Sequence, residues 1–345
     1  MKALVKTQKG KGFIELKDVD APASPAEGEV LIKIKACGIC GTDIHVKHDN
    51  FPYWPPVILG HEFVGVVEKV GENCTMLAKG DRVVAEPHTK ACGKCYLCRT
   101  GNIQICPEKR SPGWGIDGGM TEYICYPEKL LHKIPESMTW DQAVMAEPTA
   151  NVVTDLLERT KVDPGDFVVV MGPGPIGLLA AMAARTAGAC DVVIVGTPGD
   201  EGLRFDKARE LGFDKLINVA KENPAEVVME MTGGIGADIV VECSGAPAAI
   251  NSCPDMLRKM GKVCVIGLTG GKKVELEWDK FAFKVANVIF NLSTFYTSWE
   301  KTIKLIASGR IEAEKLVTHK MPLADWEEAF EAVENLEALK AVLIP

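Results

Sequence analysis

Val168-Val169-Val170-Met171-Gly172-Pro173-Gly174-Pro175-Ile176-Gly177-Leu178 decides the fold. An apolar run of strand type leads into Gly-x-Gly-x-x-Gly, and an Ala- and Leu-rich helix pattern (Ile176 to Thr186) follows. With 33 Gly in the chain the glycine spacing alone is weak, but strand, turn and helix in this order give it meaning. Such glycines let backbone approach a pyrophosphate, and the helix N-terminus favours its charge. Gly172, Gly174, Pro175, Ile176 and Gly177 are therefore the candidate dinucleotide-binding residues.

Outward from this turn, short apolar strands alternate with longer helices. Phe167 to Met171, Val192 to Val195, Asp238 to Glu242 and Lys262 to Ile266 read as strands, and Arg204 to Leu211 as a helix. Continuous apolar strands between helices predict a doubly wound parallel sheet covered on both faces. At the end of the second strand an acidic residue is expected to hold the ribose 2′-hydroxyl of NAD. Thr197 stands there instead, Asp200 and Glu201 follow, and Arg204 is the nearest cation, so both NAD and NADP remain open.

The first 150 residues differ in character. Val30 to Ala36, Phe63 to Val70, Arg82 to Ala85 and Tyr123 to Tyr126 read as strands among Gly, Pro and Asp, before a helical stretch from Trp140 to Arg159. Beyond residue 287, helices (Trp299 to Ser308, Ala324 to Asn335) precede a closing strand, Ala341 to Ile344. A length of 345 residues exceeds what one core usually serves, so two domains are expected.

Twelve cysteines are distributed unevenly. Cys92, Cys95, Cys98 and Cys106 crowd into one short segment with the spacing of a closed four-thiolate zinc site, which pins a loop and leaves no position for substrate. Cys40, His61 and Glu147 offer the S, N and O donors of a second, open site, where a bound alcohol oxygen would lose its proton more readily. The composition sets limits on partners. A net charge of −8 argues against nucleic acid, and no 18-residue apolar run suggests a membrane span. The N-terminus has no signal-peptide pattern, so a cytoplasmic protein is expected.

Cys40, Gly60-His61-Glu62, the four-Cys lobe, the late glycine turn and Val241-Glu242-Cys243-Ser244-Gly245 occur in one order. That order resembles the zinc-containing medium-chain dehydrogenase/reductases over nearly the whole chain, most closely their sorbitol (polyol) and threonine dehydrogenase branch. The resemblance implies an α/β chain with a β-rich GroES-like catalytic domain from residues 1–150 and 287–345. Its zinc lobe would span about residues 90–108, and a Rossmann coenzyme domain residues 151–286, with the active site in the cleft. It implies two zinc ions per chain, NAD or NADP, a small alcohol substrate, and a homodimer or homotetramer.

By the same resemblance, Cys40 and His61 are catalytic zinc ligands and Glu62 is a further carboxylate ligand, while Glu147 binds zinc or its water. Thr42 takes the alcohol proton and His45 passes it outward, the work of a general base and its relay partner. Phe51 falls at a substrate-pocket aromatic, and Lys340 at a basic residue reaching the cofactor phosphates. The chain departs from the branch at Ser293-Thr294-Phe295-Tyr296, where the polyol enzymes carry Arg-Tyr before the equivalent of Trp299. That loss counts against sorbitol or threonine as the substrate itself, since polar selectivity comes from placed hydrogen bonds. The expected activity is oxidation of a secondary hydroxyl of a polyol or sugar-like alcohol. The alternatives are a threonine-type amino-alcohol dehydrogenase, a zinc-ribbon nucleic-acid module, or a non-catalytic relative that binds zinc and nucleotide.

Overall fold

A computed structural model describes all residues, 1–345, in two compact units. One comprises Asn151–Ser293 with Gly309–Glu312, and the other Met1–Ala150, Thr294–Ser308 and Ala313–Pro345.

The 151–293 unit is a six-stranded parallel sheet. Its strands run Leu216–Asn218, Asp191–Gly196, Phe167–Met171, Ala237–Glu242, Leu257–Val265 and Asn287–Phe290 across the sheet. In order of appearance along the chain this is 3-2-1-4-5-6, the doubly wound arrangement whose strand order reverses beside the first strand. Phe167–Met171 lies at that reversal and is buried at every residue, which explains its unbroken apolar run. The next helix, Pro175–Ala187, starts with Pro at its first turn, where the missing N–H costs nothing, and stops at Gly188 with φ 102°. Two glycines make the turn between them possible. Gly172 holds φ +100°, and a Cβ on Gly177 would stand 1.8 Å from the Gly172 carbonyl oxygen.

The expected boundary at residue 287 is corrected. Asn287–Phe290 pairs in parallel with Leu257–Val265, so the first unit continues to Ser293. The expected helix from Trp140 to Arg159 is also interrupted. Trp140–Val144, capped by Thr139, and Ala146–Val152 are α-helical, whereas Val153–Thr160 is wound as a π-helix.

The other unit is mostly β. Its hub is the ten-residue strand Glu29–Gly38, antiparallel to Glu62–Val70, to Tyr123–Pro127 and to the C-terminal strand Lys340–Ile344. Its inward side chains, Val30, Ile32 and Ile34, join Phe63, Tyr126, Phe330 and Leu343 in the core. Register then fixes the site. Gly38 lies opposite both Glu62 and Val342, so three segments distant in sequence end at one edge of the sheet. A Cβ on Gly38 would stand 2.2 Å from Glu62 Oε2, so only glycine leaves room for that carboxylate.

Candidate functional site

In the four-Cys lobe, the Sγ atoms of Cys92, Cys95, Cys98 and Cys106 lie within 4.8 Å of one another. Cys92 and Cys98 are 4.0 Å apart and Cys95 and Cys106 3.9 Å. Tetrahedral zinc with Zn–S near 2.3 Å spaces its sulfurs about 3.8 Å apart, so the four thiols fit that ion. Backbone N–H groups point at these sulfurs and favour the thiolate of Cys106. Cys95 N–H donates to Cys92 Sγ (3.4 Å), and Cys92 N–H to Cys106 Sγ (3.4 Å). The Cys92 amide, against burial, brings Cys106 down to about 7.

The second donor set gathers at the strand ends just described. Donor atoms of Cys40, His61 and Glu62 lie within 4.8 Å of one another. Cys40 precedes the helix Gly41–Lys47 and is tethered there, its amide donating to Asp43 Oδ2 at 2.9 Å. His61 is buried, with an Nδ1 that has no hydrogen-bond partner, 4.0 Å from a likewise unpartnered Asp43 Oδ1. Burial opposes charge on His61, yet Cys40, Asp43 and Glu147 push its pKa up to about 10. Such a concentration of negative charge around an orphaned imidazole nitrogen fits a cation held in common. Glu147 is buried near enough to act on His61, but it does not share the 4.8 Å cluster.

On the same short helix, Thr42 Oγ1 stands 3.7 Å from Cys40 Sγ, and His45 is half-buried one turn further on. Phe51 packs edge-on against Trp114 (centroids 5.4 Å apart), and Trp114 packs edge-on against the His61 ring at 4.9 Å. Trp114 therefore joins the expected pocket aromatic to a metal-ligand candidate. Nothing in its loop, Pro112-Gly113-Trp114-Gly115, announces this in the sequence. Sequence reasoning misses Asp43 too, although its place three residues after Cys40 is a capping position.

Lys340 requires a correction. It is buried, and its ammonium donates to Glu62 Oε2 (2.6 Å), Glu62 Oε1 (2.8 Å) and the Ile39 carbonyl (3.1 Å). All three protons are spent inside its own unit, so Lys340 is not free to reach a cofactor phosphate. At the departure from the polyol branch, Thr294 is buried; its hydroxyl accepts from Trp299 Nε1 (2.9 Å) and lies 2.8 Å from His88 Nε2.

In the parallel-sheet unit, a cavity of about 510 Å³ opens at the strand reversal, lined by Gly172, Gly174, Thr197, Asp200, Arg204 and Ser244. No atom lies within 4 Å of where a Gly174 Cβ would point, which leaves the close backbone approach that a pyrophosphate needs. Glu242, from Val241-Glu242-Cys243-Ser244-Gly245, shapes the facing loop by accepting from the amides of Ser244 (2.9 Å) and Gly245 (3.1 Å). The carboxylate that Thr197 replaces at the second strand end is restored by the fold. The turn Pro198–Asp200 brings Asp200 Oδ2 back to the Thr197 amide (2.7 Å) and hydroxyl (2.8 Å).

Comparison with known proteins accords with both halves. The alcohol dehydrogenase GroES-like domain family matches residues 26–136, and the zinc-binding dehydrogenase family residues 175–308. A sorbitol dehydrogenase of Halalkalibacterium halodurans is 37% identical over 345 residues, covering 100% of this chain and 99% of that one. An L-threonine 3-dehydrogenase of Bacillus licheniformis is 36% identical over 353 residues, with coverage of 100% and 99%. Among solved structures, a zinc-binding dehydrogenase of Sinorhizobium meliloti 1021 bound to NADP superposes with a TM-score of 0.91 at 29% identity, covering 100% and 99%. The chain belongs to the zinc-type alcohol dehydrogenases of the medium-chain dehydrogenase/reductase family.

Proposed function

We propose that the protein oxidises a secondary hydroxyl of a polyol or sugar-like alcohol to a ketone, with NAD or NADP as hydride acceptor. The observation that carries this reading is the convergence of Cys40, His61 and Glu62 on one point, with the Thr42 hydroxyl beside Cys40. Cys40, His61 and Glu62 would hold the catalytic zinc, with Glu147 available to it or to its water, and Cys92, Cys95, Cys98 and Cys106 would hold the structural one. Bound there, zinc would supply a Lewis acid that makes an alcohol oxygen easier to deprotonate, and a nicotinamide cofactor would supply the hydride acceptor. Thr42 accepts the proton from the substrate oxygen and His45 relays it outward. Phe51 and Trp114 supply an apolar wall that excludes water and sets the width of the pocket. The Gly172–Gly177 turn anchors the pyrophosphate.

No helix is long and apolar enough to cross a membrane. We place the protein in the cytoplasm, a reading supported by twelve unbridged cysteines, eight of them outside the zinc lobe. We also propose a homo-oligomer built on the sheet edge Asn287–Phe290. Phe290, Val285 and Trp278 are 72%, 65% and 71% exposed beside it, more apolar surface than an unpartnered edge strand usually shows.

A dehydrogenase screen over polyols, sugars and amino alcohols, with NAD and NADP in parallel, tests the function. Turnover confined to amino alcohols would favour the threonine-type reading, and none on any alcohol by zinc-loaded protein would end the proposal.

A further inference from the structure

Asp200 and Arg204 form a pair whose geometry exceeds what a turn needs. The strand Asp191–Gly196 ends one residue before Thr197, and the chain then makes the tight turn Pro198–Asp200. That turn folds the Asp200 carboxylate back over the strand end, where Oδ2 accepts the Thr197 amide and hydroxyl. Arg204, in the first turn of the helix Leu203–Glu210, closes on the other oxygen, Nη1 to Oδ1 at 2.9 Å. The two side chains are only 11% and 12% exposed, and both line the 510 Å³ cavity beside Gly172 and Gly174. The Arg204 Nε–H is buried and has no acceptor. A buried guanidinium with an unused donor is costly unless a ligand or water satisfies it.

The charges nearby balance. Asp200 offsets Arg204, and Glu201, hydrogen-bonded by Asn218 Nδ2 at 2.8 Å, is paired with Lys221. A ribose with free hydroxyls meets a carboxylate acceptor there, which suits NAD. A 2′-phosphate meets the same carboxylate with its one close cation already engaged, and like charges in a partly buried site repel strongly.

Resting on the reading of the glycine turn as a dinucleotide site, we infer that Asp200, not Thr197, selects NAD, and that it does so by occupying Arg204, which is a masked 2′-phosphate site. Thr197 is the wrong position for engineering. A carboxylate placed there would face Asp200, which already takes up the Thr197 hydroxyl. Removing the Asp200 charge instead frees an arginine that the fold has already buried at the ribose. The consequence is a change of preference and not a simple loss of NAD.

Isothermal titration of the full-length, zinc-loaded protein with NAD, NADP, ADP and adenosine 2′,5′-bisphosphate reads this without catalysis. Wild type binds NAD at least about tenfold more tightly than NADP, the scale of one charge-assisted hydrogen bond. Asp200→Asn keeps an oxygen to cap the Thr197 amide and moves the NAD/NADP ratio of Kd by roughly ten- to a hundredfold towards NADP. The bisphosphate strengthens relative to ADP in the same sense. Asp200→Ser, which caps through a hydroxyl, shifts the ratio likewise and guards against misfolding of one variant. Adding Arg204→Met to Asp200→Asn abolishes the shift. Wild type that prefers NADP, an unmoved ratio in both folded variants, or a shift that survives Arg204→Met would each overturn the inference while leaving the dinucleotide site intact. Binding of neither nucleotide by wild type would overturn the dinucleotide reading, and this inference with it.

Discussion

The Lys340 ammonium sits 2.6 Å from Oε2 and 2.8 Å from Oε1 of Glu62, joining residues 278 apart in sequence. Their side chains are 6% and 1% exposed, so neither charge has recourse to water. Burial works against the ammonium, but Glu62, with Cys40 and Glu147, raises its pKa and keeps it charged. The C-terminal strand thus supplies the counter-charge to the Cys40, His61 and Glu62 cluster. Lys340→Met should destabilise the protein by about 3–5 kcal/mol, because it strands a buried carboxylate. Chemical denaturation of the purified protein measures it. Glu62→Gln in the same background should recover part of the loss, and a single-variant cost below about 1 kcal/mol would show that the pair does not matter for stability.

Two metal sites of different character should separate experimentally. Elemental analysis of chelator-free protein should find two zinc ions per chain. Cys95→Ser should remove one and lower the melting temperature, since the lobe around Tyr96–Arg99 is held by N–H···S hydrogen bonds more than by a core. Cys40→Ser should remove the other zinc and abolish turnover while leaving the fold nearly as stable. One zinc or none in the wild type would refute the two-site reading.

Asp155, on the π-helix Val153–Thr160, gives a pH dependence of definite sign. Burial pushes its carboxyl from 3.8 up to about 8, Arg159 only partly opposing, and its Oδ1 has no partner. The folded state therefore keeps a proton that the unfolded chain releases. Stability from this group is complete below its unfolded value, falls as pH rises, and is lost by the time the folded value near 8 is passed. Asp155→Asn should flatten that slope between about pH 4 and 8 and raise stability by about 1–3 kcal/mol at the upper end. Urea titrations at several pH values would detect it; a wild-type curve already flat in this window would contradict the assignment.

The parts of the molecule legible in the sequence are those whose signal is local. The run Val168–Leu178 carries strand, turn and helix together, and four cysteines within one loop carry their own geometry. What escapes depends on register or on one extra turn. Lys340 reaches Glu62 only because Val342 pairs with Gly38, and Gly38 with Glu62, across three strands. Asp200 looks displaced from the strand end because linear spacing does not show that Pro198–Asp200 folds back on Thr197. Asn287–Phe290 reads as part of the wrong unit, since four residues of strand carry no mark of which sheet they will join. Trp114 becomes a neighbour of His61 only through tertiary packing.

The proton relay separates an alcohol dehydrogenase from a protein that only binds zinc and nucleotide. Thr42 and Cys40 are placed by the same helix start, and the hydroxyl stands 3.7 Å from the thiol, beside the point where the three donors converge. An alcohol oxygen held at that point would come within reach of Oγ1, whose own proton can then move towards His45, three residues on. Thr42→Val keeps the branched shape and removes only the donor and acceptor. It should nearly abolish turnover while zinc content and nucleotide binding stay at wild-type levels. His45→Gln should slow oxidation by roughly ten- to a hundredfold, because water can take over the outer transfer, and imidazole-type buffers should restore part of the rate. The decisive measurement is kcat on the best alcohol, under conditions where a deuterium isotope effect shows that hydride transfer limits the rate. An unchanged kcat for Thr42→Val under those conditions would mean that the substrate proton leaves by another route, and that Thr42 serves only to start the helix.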